Sequence, residues 1–353
     1  MDKKILEEAF KKGKIEKISS DIEYIRFRDK IKRIERGTIV TSNRIIPAYP
    51  HIKRIFTLEN GIKRNISSDY VHAEEKIDGY NVRIISINGK IYGFSRGGFL
   101  DAFVTEKAKE MKLEKFFKNH PNHIICGEMI GNTPHTKPTK KFDVKMYVFD
   151  IDSGNGYISC EERYKIIKKY KLTSVPSFGR FRADDIRGLK RIILSLNKGR
   201  KEGMVLKSND RKQAVKYVTA YSDIDDMADA SNRFFDMPIG FYHQRILRSA
   251  LFVNDFDMDR EKYGKMLGMA FYKGLEESIN RIKKKKAICE EFEILIKDEN
   301  VWHDILKHSN RDVRVEEIYR KTENGRIRIR FKRIYRNTTK ILTSYANGKA
   351  IED

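Results

Sequence analysis

The arrangement with the most chemistry in it is a lysine at the end of a short extended run, followed at once by Asp and Gly. His72-Ala-Glu-Glu-Lys-Ile-Asp-Gly-Tyr-Asn-Val-Arg83 puts Lys76 at the close of one strand, Asp78-Gly79 in the turn, and Asn81 to Ile87 on the next strand. A lysine in such a place can be a covalent nucleophile. An amine attacks only as the free base, so the site needs burial or cationic neighbours. Taken alone, the Lys-x-Asp-Gly tetrapeptide reads equally well as a surface hairpin with a solvated lysine.

Five later segments change that balance. Phe94-Ser-Arg-Gly-Gly-Phe99 sets Arg96 beside two glycines, where backbone can come close to a ligand. Cys126-Gly-Glu-Met-Ile-Gly131 sets Glu128 at a strand end, and Tyr147-Val-Phe-Asp-Ile151 sets Phe149 in an apolar run. Lys201-Glu-Gly-Met-Val-Leu-Lys207 gives Glu202 and Lys207, and Ala214-Val-Lys-Tyr-Val218 gives Lys216. Each has a bland reading: turn carboxylates, a core phenylalanine, lysines guarding an edge strand. Their order along the chain does not.

In that order and content residues 71–218 resemble the covalent nucleotidyltransferases, the superfamily of polynucleotide ligases and mRNA capping enzymes. Glu75-Lys-Ile-Asp-Gly-Tyr-Asn-Val-Arg83 and Glu202-Gly-Met-Val-Leu-Lys207 are most similar to the archaeal ATP-dependent RNA ligases, a homodimeric branch. Pro50-His-Ile-Lys-Arg54 and the helical stretch after residue 222 resemble the same branch. The resemblance implies an RNA ligase that joins 5′-phosphate and 3′-hydroxyl ends of single-stranded RNA, within one molecule (circularisation) or between two. The route runs through AMP carried on Lys76 and then on the RNA. It implies ATP as nucleotide and Mg²⁺ or Mn²⁺ as the metal.

The same resemblance implies the roles. Glu74 or Glu75 reads adenine N6, Phe149 stacks on the base, and Glu128 binds the ribose hydroxyl or the metal. Arg96 reaches the ribose or phosphate side, and Glu202 binds the metal. Asp78 orients the lysine, Asn81 positions phosphates or metal-bound water, and Gly79 and Arg83 complete the ATP-binding set. Lys207 and Lys216 supply positive field. One departure stands out: many ligases carry two lysines two residues apart near the end of this domain, and here Lys216 is followed by Val218.

The elements needed to position these residues are mostly strands. Val71–Ile77, Val82–Ile87, Lys90–Phe94, Ile124–Gly127, Val144–Ile151, Gly203–Lys207 and Ala214–Val218 are predicted strands, with Asn88-Gly89 as a hairpin turn. Helical spacing falls at 105–117, 161–170 and 189–196. Before them, Gly37 to Val40 and Ile52 to Leu58 read as strands, with a turn at Asn60-Gly61. From about Ser222 the pattern is helical. Tyr263, Met266, Leu267, Ala270, Leu275, Ile279 and Ile282 recur at helical spacing, and Phe292, Leu295, Trp302, Ile305 and Leu306 suggest a further helix.

The expected fold is α+β. An antiparallel-sheet, ATP-grasp-like nucleotidyltransferase domain (66–222) follows an N-terminal basic module (1–65). After it come a helical dimerisation region (223–300) and a small C-terminal basic α/β module (301–353). In Arg326–Lys332 the basic residues Arg326, Arg328 and Arg330 alternate with Ile327, Ile329 and Phe331, so this strand has one basic face. That face reads either as an RNA-phosphate contact or as a solvated surface.

Composition bounds the rest. The 353 residues carry 73 Lys+Arg against 50 Asp+Glu, a formal charge of +23, which favours a nucleic-acid partner. With 40% hydrophobic and 11% aromatic residues the chain is not globally disordered. The 3 cysteines are far apart, and the N-terminus lacks an apolar signal region, so a reducing, cytoplasmic setting without membrane is expected. A DNA ligase or a capping guanylyltransferase remains as an alternative, although those usually continue into an OB-fold where this chain turns helical. A non-catalytic RNA-binding protein is the alternative from another class.

Overall fold

The computed structural model describes residues 3–42, 44–308 and 313–351. Its centre is a pair of sheets linked through the Lys76 turn. The first has the order Ser177–Arg182, Tyr70–Lys76, Gly203–Lys207, Ala214–Val218, Lys53–Arg54. Its neighbours are antiparallel except for the last pair, which is parallel. Alternation gives this sheet two chemically different faces. Val71, Ala73, Met204, Leu206, Val215 and Tyr217 form a dry face against Leu58, Ile62, Leu189, Ile193 and Ile224 of the covering helices. Glu74, Lys76, Val205, Lys207 and Lys216 alternate to the other face and line a cleft.

The second sheet runs Val144–Asp152, Ile124–Gly131, Tyr80–Ile87, Lys90–Ser95, antiparallel throughout. Both of its faces are covered. Ile85, Tyr92, Phe94 and Cys126 pack on Tyr24, Ile39, Ile46 and Tyr49 of the N-terminal module. Val82, Ile84, Met129 and Val148 share a core with Phe292, Ile294, Trp302, Ile329 and Phe331 of the C-terminal module. The Asn88-Gly89 turn has φ of 50° and 76°, as a type I′ hairpin needs.

Beyond Val218 the helices Ala220–Ser231, Ile239–Asp255 and Arg260–Lys283 follow, as expected. A three-stranded sheet then forms with the order Cys289–Ile296, Arg326–Tyr335, Val313–Glu323. Two expectations are corrected here. Phe292 and Leu295 lie on a strand, not a helix, because alternate residues Phe292, Ile294 and Ile296 are all buried. That strand pairs along its length with Arg326–Tyr335, so the expected boundary at residue 300 cuts through a sheet.

Further corrections lie upstream. Of Ile52–Leu58 only Lys53–Arg54 is strand, and Leu58–Asn65 is a helix with Gly61 inside it. A Cβ on Gly61 would sit 2.5 Å from the Ile55 Cβ, so this glycine is a packing residue and not a turn former. The Ile124 strand runs on to Gly131, which places Glu128 within it and not at its end. The helical spacing over 105–117 resolves into two helices, Ala102–Glu110 and Glu114–Asn119.

Candidate active site

The cleft between the two sheets is lined by Tyr49, Pro50, Ile52, Glu74, Glu75, Lys76, Ile77, Asn81, Arg96, Glu128, Phe149, Val175, Val205, Lys207 and Lys216. Residues from widely separated segments converge there, eight of them charged or amide side chains singled out in the sequence. Lys76 ends its strand opposite Gly203. A Cβ at Gly203 would lie 2.1 Å from the Tyr217 carbonyl oxygen, so the backbone here admits only glycine. This close pairing brings Glu202 to Lys76, with Nζ and Oε2 2.5 Å apart.

Across from Lys76, Asn81 and Glu128 are register partners on neighbouring strands, and Asn81 Nδ2 donates to Glu128 Oε2 at 3.4 Å. Burial pushes the Glu128 carboxyl up to about 7; Lys76 opposes the shift and Glu202 adds to it. Burial likewise raises Glu202. Asn81 Oδ1 is buried without a hydrogen-bond partner. Lys216 is pushed down to about 8, first by burial and then by Lys76, Arg54 and Arg96. The guanidinium of Arg96 meets His51 Nδ1 at 3.0 Å.

Phe149 reaches the cleft through a local irregularity. The pairing of Val144–Asp152 with Ile124–Gly131 slips between Val148 and Asp150, leaving Phe149 as the extra residue. A bulge re-aims a side chain, and here the ring lines the cleft beside Tyr49, with ring centroids 4.9 Å apart. The freed Phe149 carbonyl accepts from Lys207 Nζ at 2.7 Å and from Arg163.

The cleft floor is a closed ionic network. Glu74 is bound by Arg163, by Lys207 at 2.8 Å and by the Tyr164 hydroxyl at 2.6 Å. Asp150 is held by Lys207 at 3.1 Å, by Arg211 at 2.7 Å and by the Tyr49 hydroxyl at 2.6 Å. Glu74 and Lys207 are each only 1% exposed. Burial by itself would raise Glu74, but Lys207 and Arg163 outweigh it and hold the carboxyl below its usual range.

These contacts correct several expected roles. Three residues make four contacts with the Glu74 carboxylate, two on each oxygen, which leaves it no free lone pair for adenine. Lys207 is held in the floor by Glu74 and Asp150, in a network where Lys207, Arg163 and Arg211 face only those two carboxylates, so its charge acts from below the cleft surface. Glu75 borders the cleft, with its carboxylate paired to Lys201 at 3.1 Å. Arg83 lies outside the cleft: it is 1% exposed and donates to the carbonyls of Pro47 (2.6 Å), Gly37 (2.8 Å) and Ser95 (3.2 Å). It fastens the N-terminal module to the turn that carries Arg96. Gly79 is a packing position, because a Cβ there would come within 2.6 Å of the Met129 carbonyl. Asp78 sits at the turn outside the lining; burial raises its carboxyl, and Lys76 opposes that while Asp225, Asp226 and Asp229 add to it.

Arg326, Arg328 and Arg330 are far from free. They pair with Glu110 at 3.3 Å, Glu293 at 2.5 Å and Glu291 at 2.6 Å, while Lys332 pairs with Glu316 at 2.8 Å. Each cation of this face has a carboxylate partner, which favours the solvated-surface alternative over the RNA contact. Sequence reasoning missed Tyr49, His51, Asp150 and Arg163. Arg163 gave no signal at all, since a Glu-Glu-Arg run on a helix looks like solvent-facing surface.

With this geometry in place, comparison with known proteins is direct. The family profile described as RNA ligase matches residues 69–218, and that of the ligase Pab1020 C-terminal region matches residues 230–349. An uncharacterized protein of Methanocaldococcus jannaschii is 30% identical, over 93% of this chain and 88% of its own. A structure from Aquifex aeolicus, provisionally named an ATP-dependent DNA ligase, superposes with TM-score 0.94 and 31% identity over 99% of this chain and 100% of that one. An archaeal ATP-dependent RNA ligase superposes with TM-score 0.91 and 26% identity over 98% and 96%. The chain belongs to the ATP-dependent RNA ligase family of the Pab1020 type. Among the described residues no helix is long and apolar enough to cross a membrane.

Proposed function

We propose that this chain seals 5′-phosphate and 3′-hydroxyl ends of RNA in three nucleotidyl steps. Lys76 Nζ attacks the α-phosphorus of ATP and pyrophosphate leaves. The RNA 5′-phosphate then takes the AMP from Lys76, and the 3′-hydroxyl displaces AMP. The observation that carries this reading is the placement of Lys76 in the cleft lining, paired with Glu202 and sharing the lining with Lys216 and Arg96. Such chemistry needs chiefly positioning and electrostatics.

Phe149, Val175, Val205 and Ile52 offer apolar surface to the base, and Glu75, whose partner Lys201 is exposed, is the candidate for adenine N6. Glu128 serves the ribose hydroxyl. Lys216 and Arg96 stabilise negative charge at the phosphates. Glu202 holds the Lys76 ammonium and is the nearest acceptor for its proton.

The carboxylates fit Mg²⁺ or Mn²⁺. Glu128 and Glu202 are hard oxygen donors, and Asn81, which bonds Glu128, has a buried Oδ1 without a hydrogen-bond partner. Among the described residues no group of three or more His, Cys, Asp or Glu is placed to chelate an ion, so phosphate oxygens and water would complete the shell. The ion, when bound, neutralises charge on the phosphates.

A homodimer is also proposed. Met269, Tyr272 and Ile279 of the Arg260–Lys283 helix are 58%, 63% and 45% exposed, an apolar surface suited to a two-fold interface. Light scattering at micromolar concentration should give twice the chain mass, and a monomer removes this part of the proposal. The sealing function is tested with 5′-phosphorylated single-stranded RNA, ATP and Mg²⁺. Joined RNA with nicked DNA left open supports it; the converse favours the DNA reading suggested by the Aquifex relative.

A further inference from the structure

Among the described residues Arg54 has no ion-paired carboxylate. It sits on the edge strand Lys53–Arg54, in parallel register with Lys216, and the Ile55 N–H donates to the Lys216 carbonyl at 3.0 Å. Register partners in neighbouring strands share a face. Glu74, Val205, Lys216 and Arg54 therefore form one row across the cleft side of the sheet.

The acids whose charge Arg54 feels are Asp223 and Glu202, and both are taken. Glu202 holds Lys76 at 2.5 Å, and Asp223 holds Arg248. The further nearby cation, Arg245, is itself paired with Asp226 at 2.8 Å. Arg54 Nη1 is buried and has no hydrogen-bond partner. A guanidinium nitrogen withdrawn from water and left unpaired is costly, and an arriving anion would relieve that cost. The planar fork of arginine matches two phosphate oxygens at once.

We propose that Arg54 is a phosphate-binding residue that grips the phosphate next to the α-phosphate. This rests on the covalent AMP reading above. In-line displacement fixes what that phosphate is. Pyrophosphate leaves from the side of the α-phosphorus opposite Lys76 Nζ, the new N–P bond forming as the P–O bond to pyrophosphate breaks. In the next step an oxygen of the RNA 5′-phosphate enters from that same side, the P–N bond breaks, and Lys76 regains its electron pair. One cation can thus serve the β-phosphate of ATP first and the RNA 5′-phosphate second. Val218 cannot share the task, because its side chain carries no charge.

The test is binding, so it does not depend on turnover. In a Lys76→Ala background, which cannot form the adduct, affinities for ATP and for AMP are measured by calorimetry, with and without Arg54→Gln. AMP lacks the phosphate that Arg54 is assigned. The expected result is ATP binding weakened about tenfold or more with AMP binding unchanged. Arg54→Lys keeps the charge and should recover part of the ATP affinity; its melting temperature, and that of Arg54→Gln, report on the fold. Equal weakening of ATP and AMP, or no weakening of either, overturns the assignment. Absence of an AMP adduct on the unaltered chain would instead remove the covalent reading, and the affinity comparison would still judge Arg54.

Discussion

Two parts of this molecule look equally basic in sequence and are opposite in structure. The strand Arg326–Tyr335 alternates basic and apolar residues with unusual purity, yet each of Arg326, Arg328, Arg330 and Lys332 meets a glutamate from a neighbouring element. The row that runs from the cleft through Lys216 to Arg54 at the sheet edge carries fewer cations and no visible pattern, yet among the described residues neither has an ion-paired carboxylate. Charge along a chain therefore says little about function until its partners are known. Cations that fold leaves unpaired in a cleft are where an anionic substrate belongs.

That contrast can be broken at several points. The largest effect should come from the cleft floor. Lys207→Met would leave Glu74 and Asp150 short of a buried partner, and denaturant unfolding should show a loss of about 3–5 kcal/mol. A loss below 1 kcal/mol would mean that the network is not closed as described. Lys216→Met comes next. Removing one preorganised donor at a developing charge typically costs about 10²–10³ in rate, and single-turnover adenylylation should fall by that much with the melting temperature nearly unchanged.

The pH profile is a finer probe. With Glu128 pushed up to about 7 and Lys216 down to about 8, kcat/KM for adenylylation should peak between those values. Below the window Glu128 gains a proton and loses its charge; above it Lys216 loses its proton and its charge. Lys216→Arg should keep the acid limb and remove the alkaline one. A profile that Lys216→Arg leaves unaltered would detach the alkaline limb from this residue. The smallest effect is expected at the basic strand. Arg326, Arg328 and Arg330 changed together to Gln should alter stability by no more than about 1 kcal/mol for each surface pair. RNA sealing should stay within about twofold at low salt, where a phosphate contact would weigh most. A clear loss of sealing alone would return that strand to the RNA surface.

Much of this was readable from the residues. Strands at Gly203–Lys207 and Ala214–Val218 have the predicted bounds, since alternation with one apolar face is a strong signal. The Asn-Gly hairpin is where its turn chemistry put it. The convergence of Lys76, Glu128, Lys216, Arg96 and Phe149 on one cleft, with Glu202 paired to Lys76 beside it, was legible through motif order and not through spacing. What stayed hidden depends on contacts between distant residues. The bulge that aims Phe149 has no residue-type signature. The saturation of Glu74 needs Arg163 and Tyr164, about ninety positions away in the chain. Gly61 looked like a turn because only the fold reveals Ile55 packed over it. The strand at Phe292 was mistaken for helix because a short apolar run fits both periods.

The central claim is that Lys76 carries the AMP. The direct measurement is intact-mass analysis after incubation with ATP and Mg²⁺, without RNA, followed by peptide mapping of the modified residue. One AMP on Lys76, lost in acid as a phosphoramidate is, and absent from Lys76→Ala protein that melts like the unaltered chain, is the predicted result. An adduct on another lysine, or labelling of Lys76→Ala as strong as that of the unaltered protein, would contradict it.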